Sequence, residues 1–357
     1  MKNKILSAVQ KIITVALIIS VLLIVSIFAF WNSRSSHYNT KFREFLRSEN
    51  DYYIYDSLAG HIHRSNVERM YHWEEHKKGI IYTRTNNLGF REDNATLEEK
   101  EAGVTRILVT GDSHIDGVVY NDESFPNQWE YLLNKDSEKR RYECINGGVG
   151  HFAPQNYSGF LKRFLYLKPD VYVVVVYTGN DFVDTLVIEE FEGRFKSPPR
   201  PEGYYEKMDI VNKKIDGCCA QAINQIYFFK TFPQLMQKAI EISIYHFEII
   251  YQLCKKNNIK LLVLLLPTKL DVEMNTDKER VEAINKVLHL SRLDFGINRF
   301  LTEKFTAWLA EKQIDYIDLL EPMKGEDVEL FWKKDYHLND NGHKLIAECL
   351  HNFHSLK

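Results

Sequence analysis

Five short runs of the sequence carry apolar side chains with no polar alternation: 106–111 (RILVTG), 142–149 (YECINGGV), 171–179 (VYVVVVYTG), 259–267 (IKLLVLLLP) and 314–320 (IDYIDLL). A strand that keeps no polar face is covered on both sides, as in a sheet held between layers of helix. Helical spacing of apolar residues appears between the runs, at 125–133, 154–167, 231–256, 280–290 and 298–312. Strand and helix alternating in this way imply parallel pairing with right-handed crossovers. The expected fold class is therefore α/β, a three-layer α/β/α sandwich around a mainly parallel five-stranded sheet. In such sheets chemistry gathers in the loops beyond the carboxyl ends of the strands.

The N-terminal part has another pattern. Residues 12–31 (IITVALIISVLLIVSIFAFW) contain no charge, and about 20 apolar residues cross a hydrocarbon core as a helix. Large side chains run up to Phe30 and Trp31 without a small-x-small cleavage site, so an uncleaved signal anchor is expected rather than a signal peptide. A short charged tail beside a long domain favours the tail inside and the domain on the extracytoplasmic side of the plasma or inner membrane. The expected division is a cytoplasmic tail at 1–11, a transmembrane anchor at 12–31, a stalk and N-terminal extension at 32–104, and a catalytic domain at 105–357. Short helical pieces are expected in the stalk up to about residue 71, and a strand or hairpin at 82–93 (YTRTNNLGFRED). The segment 183–222, with KSPPRPEGYYEKM, breaks the rhythm of the domain and reads either as a lid or substrate loop or as a disordered surface insertion.

Composition excludes some functions. Lys and Arg total 46 against 49 Asp and Glu, and a net charge of -3 leaves no broad basic surface for nucleic acid. Cys144, Cys254 and Cys349 lie in apolar stretches and read as core thiols, while Cys218 and Cys219 sit in a loop. None has the CxxC spacing of a metal centre, so neither a metal nor a disulfide framework is expected.

Three strand ends hold residues of chemical interest. The first run leads into Gly111, Asp112 and Ser113; the third ends in Gly179, Asn180 and Asp181; and Asp335 and His337 stand just before a C-terminal helical pattern that brings them back to the same rim. Acyl transfer needs an oxygen nucleophile, a base, a group to hold the base, and donors for the oxyanion. Ser113, His337 and Asp335 fit the first three roles, and the Asn180 amide with a main-chain N–H of the Ser113 turn fits the fourth. Each also has a plainer explanation: Gly-Asp-Ser and Gly-Asn-Asp are ordinary turn sequences, and a histidine near a terminus is often a surface group. His343, His351 and His354 read as surface or helix-packing residues. Gly147, Gly148 and Gly150 follow the second run rather than the first and lack GxGxxG spacing, which argues against a dinucleotide cradle.

In four ordered blocks the sequence resembles the SGNH, or GDSL-type, hydrolases: ILVTGDSHIDGVVYNDESFPNQWEYLL, CINGGVGHFAPQNY, KPDVYVVVVYTGNDF and DYHLNDNGHKLIAE, covering roughly 85–355. TNNLGFRE before the first block is similar to a segment of membrane-anchored members. The resemblance implies a flavodoxin-like SGNH hydrolase fold, Ser113 as nucleophile, His337 as base, Asp335 as its partner and Asn180 as oxyanion donor, with no cofactor. The glycine that lends a main-chain N–H in the second block falls at Gly150 or His151. Asp335 precedes His337 by two residues where many members have three, a spacing similar to that of the alginate O-acetyltransferase branch.

The expected function is a membrane-tethered serine esterase that hydrolyses acyl esters, O-acetyl above all, on a cell-surface glycan. Two alternatives stay open from sequence: a polysaccharide O-acetyltransferase using the same groups, and a catalytically silent glycan-binding or assembly protein.

Overall fold

The computed structural model describes residues 51–353 apart from Lys139, Asp216, Cys218 and 274–277, together with Thr14, Ile19, Ser20, Val21 and Leu23. It divides into two units, residues 1–50 with 189–196, and residues 51–188 with 197–357. In the first, the five described residues before position 50 are helical and exposed, and Arg194 pairs with Glu189 and Glu192. Among the described residues no helix is long and apolar enough to cross a membrane, and the span expected at 12–31 lies almost wholly outside them.

The second unit carries the sheet. All five apolar runs are strands: β5 (Thr105–Gly111), β6 (Tyr142–Gly148), β7 (Val171–Tyr177), β8 (Lys260–Leu266) and β9 (Asp315–Asp318), in the order β6-β5-β7-β8-β9. Every pairing is parallel. Because β5 lies inside the sheet, with the chain passing first to one side and then to the other, the order reverses between β5 and β7. A crevice opens at such a switch point beyond the carboxyl ends of the two strands.

Two helical layers cover the sheet, as the doubly buried strands require. Ile107, Val109, Val173, Val175, Leu262 and Leu264 form one core with Phe125 and Trp129 of α2 (Phe125–Asn134) and Ile346, Ala347 and Leu350 of α13 (Asp340–Asn352). On the other face α3 (Pro154–Phe164) packs on α7 (Leu235–Lys256), and α7 on α11 (Ile297–Glu311), with Phe247 and Phe305 edge to face at 4.8 Å. The remaining helices of the unit are α1 (Ser113–Asp116), α4 (Asp181–Phe191, whose last turn passes into the other unit), α5 (Tyr204–Lys214), α6 (Ala220–Thr231), α8 (Lys269–Glu273), α9 (Lys278–Leu288), α10 (Arg292–Phe295) and α12 (Leu320–Lys324).

Two expectations are corrected. The part of the stalk from 51 to 71 is not helical: β1 (Tyr53–Asp56) pairs with β2 (Gly60–His63), and β3 (Glu68–His72) pairs with β4 (Ile80–Arg84), making two antiparallel hairpins. Strands of four or five residues give too short an alternation to separate from a turn-rich stalk. Within 183–222 the chain is also largely helical, in α4 and α5, and α6 begins at Ala220. Pro198, Pro199 and Pro201 mark only the irregular stretch before α5. Cys219 lies in the turn before α6 and is buried, and Cys218 lies outside the described residues.

Candidate active site

The turn that carries Ser113 is built by Asp112. Its main chain leaves β5 in an extended conformation, its carboxylate accepts from the His114 N–H at 2.9 Å, and its carbonyl accepts from Asp116 N–H at 3.0 Å, starting α1. Ser113 is thus the first helical residue at the strand end. Gly148 at the end of β6 makes room for this helix, since a Cβ there would run into the backbone of Ile115 and Asp116.

Asp335 and His337 reach the same point from the loop before α13. Asp335 Oδ1 accepts from the His337 main-chain N–H at 2.7 Å and from its ring Nδ1 at 2.6 Å, so Nδ1 carries the proton and Nε2 is left as an acceptor. The Ser113 hydroxyl donates to that Nε2 at 2.9 Å. Two segments more than 200 residues apart in the chain therefore form one hydrogen-bonded relay. Burial disfavours a charged imidazole, but Asp335, with Asp112 and Asp116 beyond it, outweighs burial and holds His337 above the ordinary 6.5. Burial likewise works against the Asp335 carboxylate, and the nearby His337 keeps it below the usual range.

Around the relay burial and ion pairs shift the other titratable groups. Burial drives His114 well down and His343 down to about 3; His343 Nδ1 accepts from the Phe125 N–H at 3.2 Å as a packing group of α13. Burial also pushes the Asp112 carboxyl up to about 6. Asp116 behaves in the opposite way: Arg91 at 2.9 Å and His63 at 3.4 Å overcome its burial and hold it well below the carboxylate range.

The oxyanion candidates converge on the same place. A Cβ on Gly150 would lie 3.9 Å from Ser113 Cβ and 2.5 Å from the Tyr53 hydroxyl, so Gly150 faces the serine with no room for a side chain. His61, neutral because burial lowers it to about 4, donates from Nε2 to the Gly150 carbonyl at 2.8 Å. His151 takes φ 64°, a left-handed conformation that favours glycine, and its side chain is exposed. Asn180 stands after β7 with one amide N–H given to Asp184 Oδ2 at 2.9 Å and its amide close to Asp112. Asp184 and Asp112 are therefore the acceptors from which an oxyanion at Ser113 would take an Asn180 N–H.

No family model matches the sequence, and no curated protein matches it. Several solved structures are similar at low identity. An acetyl xylan esterase, AlAXEase, is 18% identical with a TM-score of 0.39, over 69% of this chain and 97% of that one. A member of the lipolytic protein G-D-S-L family from Veillonella parvula is 14% identical with a TM-score of 0.38, over 70% and 98%. A catalytic mutant of Axe2, an acetylxylan esterase from Geobacillus stearothermophilus, is 11% identical with a TM-score of 0.39, over 70% and 94%. Likeness at this level does not bear on activity, and the chemistry rests on the side chains of this chain.

Several residues that hold the site lack a sequence motif. Arg91, fully buried, donates to the carboxylate and carbonyl of Asp116, to the carbonyls of Gly117 and Val119, and to Asn121. Tyr52 donates to Asp116 at 3.1 Å, and Gln221 of α6 lies 3.4 Å from the His114 ring. A lone arginine after a turn gives no sign that it will be buried; only the placement of TNNLGFRE beside the first block hints that it packs there.

Proposed function

We propose that the chain is a membrane-tethered serine esterase of SGNH type, acting on acyl esters and on O-acetyl groups of a cell-surface glycan in particular. The reading is supported above all by the relay from Asp335 through His337 to Ser113, with steps of 2.6 and 2.9 Å. Ser113 Oγ attacks the acyl carbonyl while His337 Nε2 takes its proton, and Asp335 stabilises the imidazolium. The oxyanion accepts from the Asn180 amide and from a main-chain N–H at Ser113, Gly150 or His151. Collapse expels the sugar alcohol, which takes the proton from His337. Water then attacks the acetyl-serine as His337 takes its proton, and collapse breaks the bond to Ser113 Oγ, which recovers the proton from His337 as acetate leaves.

Tethering is supported by the uncharged run at 12–31. The two-residue Asp335–His337 spacing, similar to that of the alginate O-acetyltransferase branch, supports an acylated polysaccharide as substrate, and the same groups serve a second outcome for the acyl-enzyme, attack by a sugar hydroxyl instead of water. Turnover of an activated acetyl ester with and without an oligosaccharide acceptor separates the two: free acetate alone marks the esterase, and acetylated sugar marks the transferase. A folded protein that turns over no ester in either case leaves the silent glycan-binding role. Fractionation of cells should place the full chain in the membrane pellet and a chain lacking 12–31 in the supernatant.

A further inference from the structure

The loop from Trp332 to His337 carries both the acid and the base, yet it is short, irregular and largely outside the sheet. Two side chains from elsewhere grip its backbone from opposite senses. Lys269, the first residue of α8 just beyond β8, is buried, and its ammonium donates to the carbonyls of Trp332 at 2.5 Å and Lys333 at 3.2 Å. Glu75, in the turn between β3 and β4, accepts from the main-chain N–H of Lys333 at 2.5 Å and of Lys334 at 3.0 Å. Aromatic packing seats that turn on the loop: Trp332 meets Trp73 at 5.9 Å and His76 at 6.1 Å, both edge to face. The turn closes on itself through Trp73 N–H to Gly79 carbonyl at 2.9 Å.

A buried ammonium is costly unless its donors are used, and here they are spent on the two carbonyls that precede the catalytic pair. We propose that Lys269 and Glu75 are positioning residues that clamp the Trp332–Lys334 backbone and so set the distance from His337 to Ser113. The inference rests on the reading of Ser113 and His337 as nucleophile and base. It also makes the β3–β4 hairpin, which precedes the α/β core in the chain, a working part of the site.

The test uses the full chain and a fluorogenic acetyl ester. Glu75→Ala and Lys269→Met are each expected to lower kcat about 10- to 100-fold, the cost of a misplaced catalytic group, with KM within about twofold, because neither residue is placed where it would touch substrate. Lys269→Arg, which keeps a donor for the carbonyls, is expected to recover part of the loss, and Glu74→Ala, an exposed neighbour, to keep wild-type kcat. Loss of the Lys269 charge near Asp335 should also move the acid limb of kcat/KM upward, because one cation fewer opposes protonation of a His337 that otherwise faces Asp335, Asp112, Asp116 and neutral His114. Folded Glu75→Ala with wild-type kcat overturns the clamp, and this exposed-side variant decides the matter if Lys269→Met does not fold. A folded wild type with no turnover and no Ser113 labelling overturns the active-site reading instead, a result distinct from failure of the clamp.

Discussion

At the scale of single residues, the electrostatics of His337 set the behaviour of the site. In the proposed reaction His337 is the base and must be neutral to take the serine proton, while Asp335 and its acidic neighbours hold this imidazole above 6.5. The acid limb of kcat/KM should therefore lie above pH 6.5 and activity should fall away below it. In Asp335→Asn the limb should move down, and kcat should drop roughly 10³- to 10⁴-fold as tautomer control is lost; a pH–rate series on both proteins checks this. Asp112 has the reverse linkage. Its folded carboxyl titrates at about 6 rather than 3.8 because it is buried, so ionising it costs stability as pH rises from about 4 through 6. Asp112→Asn keeps the turn cap and avoids that cost: urea melts should show it equal to wild type near pH 4 and more stable at pH 8 by on the order of 2 kcal/mol.

At the scale of elements, side chains do much of what the backbone leaves undone. Strand β6 is an edge, and its outer N–H groups are covered: Glu130 accepts from Cys144 at 2.7 Å, Glu92 from Asn146 at 2.7 Å, and Asn134 from Tyr142 at 3.1 Å. Such cover protects an open edge from pairing with another chain. Arg91 does the same for the end of α1, where four carbonyl or carboxylate oxygens depend on it. Arg91→Ala should cost about 3–5 kcal/mol in denaturant melts, the loss expected when a buried charge pair loses one partner. The five strands and the helices α2, α3, α7, α9 and α11 were legible because their apolar periodicity extends over a whole element. Helix α7 starts at Leu235 and not at 231, because Pro233 divides what looks like one pattern into α6 and α7. Ser113 at a strand end and Asp335 and His337 before the last helix stand out as motif residues, and the structure brings the three within hydrogen-bond distance. Lys269 and Glu75 were not legible, since their partners are main-chain atoms of distant segments, and neither was Arg91, most of whose partners are main-chain carbonyls; such contacts leave no mark on side-chain pattern.

At the scale of the whole molecule, residues 51–96 belong to the same unit as the α/β core, because Tyr52, His61, His63, Glu75 and Arg91 all bond to the active-site loops. A chain starting at residue 51 should retain turnover, and one starting at 97 should lose it along with its cooperative thermal transition. The fold matters to the chemistry because it joins the end of β5, the end of β7 and the loop before α13 at one switch point. Intact-mass and peptide mapping of the full chain after exposure to a fluorophosphonate tests this convergence most directly. One adduct on Ser113 is expected, absent in Ser113→Ala and slowed at least about 10³-fold in His337→Ala. No adduct on the folded protein, an adduct on another residue, or labelling of His337→Ala at the wild-type rate would contradict it.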